Sequence, residues 1–169
     1  MDEVRVPIRY LPKRLTKKDK KKQVDMLMKS RRLYKKNKYY TRKKVGSYES
    51  KTSQHIINAR KTYKVNKIKP SRELSKATGC SIKALKEIVK KGEGAYYSSG
   101  SRPNQTGRSW GLARLASAIT GGKSAAVDYK ILDKGCDHRK RAFKLAKRAR
   151  REYKYGQSKS RKTEIKYKE

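Results

Sequence analysis

The sequence predicts an all-α protein, in which a small helical module lies between a long basic N-terminal arm and a disordered or partner-bound C-terminal tail. Apolar residues recur at helical spacing, and the periodic segments begin after serine, threonine or aspartate and end at glycine. No run alternates apolar and β-branched residues for long enough to predict a sheet.

Charge divides the chain into three parts. Residues 1–70 hold 24 basic and five acidic side chains, residues 71–136 hold 12 and five, and residues 137–169 hold 14 and four. From charge and helix pattern together we expect a basic arm over 1–70, a helical module over 71–155 and a basic tail over 156–169.

The formal net charge of +36 over 169 residues indicates an anionic partner, because a compact chain with this charge would repel itself. Nucleic acid, an anionic lipid surface and acidic protein faces are the candidates. The hydrophobic fraction of 34% limits the core, so part of the chain is expected to order on binding. No apolar run is long enough to span a membrane, and no secretory signal is present, which predicts a product of the cytosol or nucleus, or of a particle assembled there.

The arm opens with VRVPIRYLPKR, whose two prolines favour extended chain over helix. Thr16 is a candidate N-cap for a helix with one thin apolar stripe, and Asn37 is a plausible left-handed end for it. A shorter helix is expected over about Ser53 to Tyr63. Both helices are poor in apolar residues, which predicts that they lie on another surface.

The module opens with a hairpin that has the spacing of a helix-turn-helix. Ser71 begins a helix that Gly79 ends, and Ser81 begins a second helix that Gly92 ends. In a DNA reader the second helix would present Lys83 and Lys86 to the duplex, although lysine contacts phosphate more than base edges. A plain pair of packed helices needs the same glycine and serine for the same steric reasons, so both readings stay open.

Three further helices are expected in the module. RSWGLARLASAI predicts one that ends at Gly121 and Gly122, and SAAVDYKIL predicts another that ends at Gly135. Asp137 is expected to cap the last, which runs through HRKRAFKLAKRARREY with a dense basic face opposite its apolar stripe. The side chains expected to hold the module together are Tyr96, Tyr97, Trp110, Leu115, Ile119, Val127, Ile131 and Leu132.

No catalytic arrangement emerges from the residues. GEGAYYSSGS and TGGKS both fail the spacing of a phosphate-binding P-loop, so the first is expected to be a folded Ω-like loop. The two histidines have no evident orienting partner, and Asp128 is expected to pair with an arginine such as Arg114. Cys80 and Cys136 are expected to be buried, reduced thiols, since no second ligand pair completes a zinc site. We expect no enzyme, no cofactor and no metal.

Basic tracts with interleaved tyrosines remain, such as RRLYKKNKYYTRKK and RREYKYGQSKSRK. Nucleic acid would use them for phosphate neutralisation and base stacking, whereas acidic grooves between protein subunits would use the same lysines and tyrosines. The sequence does not separate these two partners. The candidate contact residues are Lys17, Lys18, Lys21, Arg31, Arg32, Lys35, Lys36, Arg42, Lys43, Lys44, Lys83, Lys86, Arg139, Arg141, Arg148 and Arg151.

The segment from Thr78 to Cys136 resembles a family of small basic proteins encoded by large double-stranded DNA viruses of algae and protists, with distant relatives in phages. The shared pattern is KG-x-GAYYSSGSRPNQT, then SW, ARLAS, TGGK and VD-x-x-IL, and the lysine-rich arm is similar too. The motif residues are Gly94, Tyr96, Tyr97, Gly100, Arg102, Pro103, Asn104, Trp110, Arg114, Gly121, Gly122, Lys123 and Asp128.

This resemblance implies a virion protein without enzymatic activity, namely a minor capsid protein on the inner side of the capsid that cements capsomers through its basic arms. Its partners would be the major capsid protein and other minor capsid proteins, with nucleic acid or an anionic inner membrane surface as further candidates. The alternative is a sequence-nonspecific DNA-binding packaging protein that uses the hairpin and the basic flanks. A ribosomal-type RNA binder fits the composition but not the central motif.

Overall fold

The structure, a computed structural model, describes residues 2–167 and is largely helical. Residue 1 of the predicted arm and residues 168 and 169 of the predicted tail lie outside the described residues. Within the described part, none of the helices combines the length and apolar character that a membrane span requires. The elements are β1 (Asp2–Pro7), α1 (Lys17–Tyr34), α2 (Gln54–Tyr63), α3 (Arg72–Thr78), α4 (Ile82–Ser98), α5 (Gly107–Ile119), α6 (Lys123–Val127), α7 (Tyr129–Gly135), α8 (Arg141–Glu152) and β2 (Lys162–Tyr167).

A two-stranded antiparallel sheet corrects the all-α prediction. Strand β1 pairs with β2 so that Val4 lies opposite Ile165 and Arg5 lies opposite Glu164. Each strand has only six residues, and its partner lies at the other end of the chain. The alternation is therefore too short to predict a strand locally. Residues 162–167 of the tail, which was expected to be disordered or partner-bound, are ordered by this pairing.

The chain divides into two compact units, and these do not follow the predicted boundaries. Unit 1 contains residues 2–51, 94–107 and 159–167, and unit 2 contains residues 52–93 and 108–158. The N-terminal arm is thus shared between the units, since α2 belongs to unit 2. The glycine-rich segment 94–107, expected to belong to the helical module, belongs to unit 1.

The predicted starts of four helices are confirmed by serine and threonine caps. The Thr16 hydroxyl accepts a hydrogen bond from the Asp19 amide at 3.1 Å, and the Ser71 hydroxyl accepts one from the Leu74 amide at 3.2 Å. Ser53 and Ser81 make the equivalent bonds at the starts of α2 and α4. Two predicted left-handed ends are also present, because Asn37 has φ 57° and Gly79 has φ 78°.

Gly92 does not end a helix, contrary to the sequence prediction. Helix α4 continues past it to Ser98, and a Cβ on Gly92 would lie 2.6 Å from the Cα of Gly111 on α5. A Cβ on Gly111 would in turn lie 2.5 Å from the Val89 carbonyl oxygen. Both glycines therefore permit a close crossing of two helices in unit 2, which a local pattern of helix ends does not reveal.

Two further helix boundaries differ from the prediction. The segment SAAVDYKIL forms two short helices, α6 and α7, which meet at Asp128 with φ −98° and ψ 21°. Asp137 does not cap α8 directly. Its carboxylate accepts a hydrogen bond from the Arg139 amide at 2.9 Å in the preceding turn, and α8 begins after Lys140.

Unit 2 contains a large apolar core, to which each of the helices α2 to α8 contributes buried side chains. Leu74, Leu85, Leu115, Ile119 and Leu132 are fully buried in it, alongside the alanines of α8. Three of the side chains predicted for this core are placed differently. Val127 is 48% exposed, and Tyr96 and Tyr97 lie in unit 1, where Tyr96 is fully buried and Tyr97 half-buried.

The two cysteines form a disulfide in unit 2, which corrects the prediction of reduced thiols. Cys80 and Cys136 face each other across a short antiparallel bridge. The bridge is framed by two backbone hydrogen bonds, from Ser81 to the Gly135 carbonyl at 2.7 Å and from Asp137 to the Gly79 carbonyl at 2.8 Å. The disulfide thereby joins the α3–α4 turn to the end of α7.

Candidate functional site

The glycine-rich motif of unit 1 surrounds the buried side chain of Arg42. Arg42 is 6% exposed, and the Cζ of its guanidinium lies 3.8 Å from the centroid of the Tyr96 ring. Its Nη1 donates to the Ser30 hydroxyl at 3.0 Å and to the Tyr96 carbonyl at 2.8 Å, and its Nη2 donates to the Ser101 hydroxyl at 2.8 Å. We call these four residues the Arg42 socket.

Among residues 2–167, no carboxylate forms an ion pair with the guanidinium in the Arg42 socket. Neutral hydroxyl and carbonyl oxygens and an aromatic face stabilise the cation instead. Burial removes water from both groups, and this desolvation lowers the pKa of Arg42 and raises the pKa of Tyr96. Removing any one partner would leave a buried polar group unsatisfied, so the socket holds the arm in a single position.

Asn104 fastens the next part of the arm to the same motif. Its side-chain carbonyl accepts a hydrogen bond from the Val45 amide at 2.7 Å, and its side-chain amide donates to the Tyr48 carbonyl at 2.6 Å. Gly100 has φ 132°, and a Cβ there would lie 2.7 Å from the Leu27 side chain. The segment GAYYSSGSRPNQT thus holds the chain's own arm.

A row of tyrosine rings lies on the outside of unit 1. The ring centroids of Tyr34 and Tyr39 are 6.1 Å apart, and those of Tyr39 and Tyr97 are 5.2 Å apart. Tyr39 is 70% exposed, and Tyr34 is 37% exposed. We call Tyr34, Tyr39 and Tyr97 the tyrosine row.

The predicted contact residues of the arm fall into two groups. Arg42 is buried in the socket, and Arg31 is half-buried, with its Nε donating to the Ser99 carbonyl at 2.8 Å. These two cations therefore stabilise unit 1 itself. The exposed members, which leave their charge to solvent, are Lys17, Lys18, Lys21, Arg32, Lys35, Lys36, Lys43 and Lys44.

Unit 2 contains the predicted pair of Arg114 and Asp128. The Arg114 Nε and Nη2 donate to the two carboxylate oxygens at 2.8 and 2.7 Å, and the Asp128 side chain is fully buried. The pair connects α5 to the junction of α6 and α7. A carboxylate held bidentately in this way fixes the position of these helices relative to one another.

The TGGK segment is a tight connection between α5 and α6. Gly121 has φ 75°, which few residues other than glycine adopt easily. A Cβ on Gly122 would lie 2.4 Å from the Ser117 hydroxyl oxygen. Both glycines thus serve the turn. The remaining motif residues lie in unit 1 (Gly94, Arg102 and Pro103) or unit 2 (Trp110 and Lys123).

The α3–α4 hairpin forms as the spacing predicts, and Lys83 and Lys86 are exposed on α4. Glu87 is exposed beside them. The Ser75 hydroxyl donates to the Cys80 carbonyl at 2.5 Å, so this small residue ties the first helix to the turn. The face has two lysines and one carboxylate, a combination suited to weak phosphate contact.

Helix α8 presents the densest basic surface of unit 2. Its alanines and Phe143 are buried, and the predicted contact residues Arg141, Arg148 and Arg151 are exposed. Arg139 is exposed too but pairs with Asp137 at 3.1 Å, which lowers the pKa of that carboxyl to about 2. Arg150, outside the predicted set, stacks on the rings of Tyr129 and Tyr155 at 4.5 and 5.0 Å.

A shallow depression between α2 and α8 was not predicted from the sequence. It has a volume of about 460 Å³ and adjoins a second depression of about 350 Å³ along α8. The signal that could have found it is the repeat of basic residues at helical spacing on α8. The residues that line the two depressions, which we call the α2–α8 groove, are Asn58, Lys61, Thr62, Thr120, Arg141, Lys144, Leu145 and Arg148.

Among residues 2–167, no group of three or more histidine, cysteine, aspartate or glutamate side chains is placed to hold a metal ion. His138 stacks on Phe143 with ring centroids 3.8 Å apart and lies 3.1 Å from the Asp133 carboxylate. This exposed pair joins the turn before α8 to α7 and gives His138 a carboxylate partner that the sequence analysis did not expect.

A family model described as a family of unknown function, DUF5824, matches residues 7–140. The match covers more than half of the chain, and the chain therefore belongs to this family. The matched residues include the Arg42 socket and the Arg114–Asp128 pair and end before α8. No curated protein and no solved structure matches the chain.

Proposed function

We propose that this protein is a non-enzymatic structural component of a large icosahedral double-stranded DNA virus. In this proposal it is a minor capsid protein on the inner side of the capsid, where it cements capsomers through the basic surface of unit 1. The resemblance of its central motif to small basic proteins of such viruses supports the assignment. A net charge of +36 supports permanent contact with acidic partners.

The observation that carries the proposal is the Arg42 socket. The Arg42 side chain of the arm donates to Ser30 of α1 and to Tyr96 and Ser101 of the glycine-rich motif, so this motif holds the arm. A held arm can present its lysines in a fixed arrangement, and this reduces the entropy lost on binding. The motif thereby supplies rigidity to a contact surface.

The tyrosine row favours protein as the partner of this surface. Tyrosine and arginine are enriched where protein interfaces bury their centres, and lysines at the rim add complementarity to an acidic face. Tyr39 is the most exposed large hydrophobic side chain of the described residues, and Lys35, Lys36 and Lys38 lie near it in the sequence. The major capsid protein and other minor capsid proteins are the proposed partners.

Lysine-reactive cross-linking of purified virus particles, followed by mass spectrometry, tests the proposal. We expect Lys35, Lys36 and Lys38 to cross-link to the major capsid protein or to another capsid component. Cross-links within unit 1 of the free protein provide the control for its fold. Absence of the protein from particles, or an arm that cross-links to nucleic acid alone, would contradict the proposal.

A second candidate is a sequence-nonspecific DNA-packaging protein that uses the α3–α4 hairpin and the basic flanks. The observation that favours it is the formation of this hairpin, with Gly79 at the turn and Lys83 and Lys86 exposed. In this case the hairpin lysines would contact phosphates of the genome. Formaldehyde cross-links from α4 to DNA in the particle would distinguish it from the first candidate.

A further inference from the structure

The α2–α8 groove combines positive charge with hydrogen-bonding side chains. Lys61 lies on α2, and Arg141, Lys144 and Arg148 lie on α8, all of them exposed. Asn58 and Thr62 add amide and hydroxyl groups, whereas the Thr120 hydroxyl already donates to the Ala116 carbonyl at 2.7 Å. No carboxylate of residues 2–167 lines either depression. This is the set of side chains that contacts phosphate oxygens in nucleic-acid complexes.

The cations of α8 form one stripe along the helix. Arg141, Lys144, Arg148 and Arg151 follow one another at intervals of three and four residues, which places them on the same face. At about 1.5 Å of rise per residue, the stripe extends for about 15 Å. A row of evenly spaced anions matches this geometry better than a single small anion.

The groove has few features of a protein-binding site. Interfaces between proteins centre on buried aromatic or apolar anchors, and Leu145 is the one apolar side chain among the lining residues. Single-stranded nucleic acid would need exposed rings for base stacking, and none of the described aromatic residues lines the groove. A duplex phosphate backbone requires neither.

We propose that the α2–α8 groove is a binding site for the phosphate backbone of double-stranded nucleic acid, without sequence preference. This goes beyond the capsid role of unit 1, and it narrows the nucleic-acid contact of the second candidate from the hairpin and the basic flanks to α2 and α8. Lys61 and the stripe of α8 neutralise phosphates, while Asn58 and Thr62 hydrogen bond to phosphate oxygens at the edge. The protein would then contact an acidic protein surface through one unit and a duplex through the other.

The test measures binding of the full-length protein to a random-sequence duplex by fluorescence anisotropy over a range of salt concentrations. The groove variant combines Arg141→Gln, Lys144→Gln and Arg148→Gln. A control variant of equal charge combines Lys67→Gln, Lys130→Gln and Lys134→Gln, which are exposed residues of unit 2 outside the groove. A hairpin variant combines Lys76→Gln, Lys83→Gln and Lys86→Gln. Circular dichroism and thermal unfolding establish that each variant is folded.

Each lost phosphate contact reduces the magnitude of the slope of log affinity against log salt by about 0.9. The slope of the groove variant should therefore be smaller in magnitude by about 2.7 than that of the wild type. Its loss of affinity between about 50 and 200 mM salt then becomes about 40-fold smaller than that of the wild type. We expect the control and hairpin slopes to stay at the wild-type value. If the groove variant does not fold, the single changes Lys144→Gln and Arg148→Gln should each reduce the slope by about 0.9.

Three results would overturn the proposal. Equal changes in the groove and control variants would show that net charge alone governs binding. A change confined to the hairpin variant would place the duplex on α4. A groove variant that loses affinity for polyglutamate but keeps its affinity for the duplex would identify an acidic protein as the ligand. None of these results depends on whether unit 1 contacts a capsid protein.

Discussion

The two units carry the same formal net charge but are stabilised by different kinds of interior. In the described residues, unit 1 has 24 basic and six acidic side chains, and unit 2 has 25 and seven, which gives +18 for each. Unit 2 buries a continuous apolar core, whereas unit 1 buries Gln23, Ser30, Arg42 and Ser101 among a smaller set of apolar side chains. Charge therefore does not determine how a basic chain folds.

This contrast extends to what each unit does with its cations. Unit 1 buries one guanidinium on neutral oxygens and an aromatic face, and it exposes lysines beside the tyrosine row. Unit 2 pairs its buried Asp128 with Arg114 and exposes the stripe of α8. A polar interior depends on complete hydrogen bonding, while an apolar core depends on close packing. Single substitutions should therefore damage the two units by different mechanisms.

The largest effect is expected from Arg42→Met in unit 1. The change leaves the Ser30 hydroxyl, the Tyr96 carbonyl and the Ser101 hydroxyl without their buried donor, and each such loss costs about 1–3 kcal/mol. We expect the free energy of unfolding of unit 1 to fall by about 3 kcal/mol or more, which is the sum of the three losses at the lower figure. Hydrogen exchange should show lost protection in α1 and residues 94–107. Lys43→Met, at the exposed neighbouring position, should leave protection unchanged.

Removal of the disulfide tests the stability of unit 2. The Cys80–Cys136 bond has a sequence separation of 56 residues, and such a cross-link contributes about 2–4 kcal/mol by restricting the unfolded chain. We expect Cys80→Ala with Cys136→Ala, or reduction of the wild type, to lower the denaturation midpoint accordingly. Thiol titration of the denatured, unreduced protein should detect no free thiol. Two free thiols in protein purified without reductant would contradict the disulfide.

Alanine substitutions at two helical glycines, Gly111 and Gly94, distinguish the effect of close packing on stability from the effect of helix propensity. In Gly111→Ala the new methyl group would lie 2.5 Å from the Val89 carbonyl oxygen, and overpacking of this kind costs about 1–3 kcal/mol. Gly94 also lies in α4, but nothing lies within 4 Å of its Cβ position. Gly94→Ala should therefore increase stability by about 0.5–1 kcal/mol, since alanine favours helix over glycine. Equal effects in chemical denaturation would refute the close crossing of α4 and α5.

The smallest effect concerns Asp137 and the pH dependence of stability. Hydrogen bonds from Arg139 lower the pKa of this carboxyl from 3.8 to about 2 in the folded state. A depressed pKa contributes stability that is present above the unfolded value and is lost as the pH falls through the folded value. The stability difference between wild type and Asp137→Asn should be constant near neutral pH and should shrink between about pH 4 and pH 2. Urea denaturation across this range checks the trend, and a difference independent of pH would exclude it.

Much of the helical framework could be predicted because its determinants are local. The caps at Thr16, Ser53 and Ser71 and the left-handed residues Asn37 and Gly79 act within one turn of chain. The Arg114–Asp128 pair was also predictable, since few acidic residues lie in the weakly charged centre. The exposed basic residues of α1 and α8 followed from composition and helical spacing.

By itself the sequence determined where most helices begin and which faces carry charge. Only the tertiary structure decided the β1–β2 pairing, the helical role of Gly92, the burial of Arg42 and the assignment of segment 94–107 to unit 1. The physical reason is separation along the chain. A cap or a left-handed turn is set by neighbours within a few residues, whereas Val4 meets Ile165, and Arg42 meets Ser101, only after distant segments have come together.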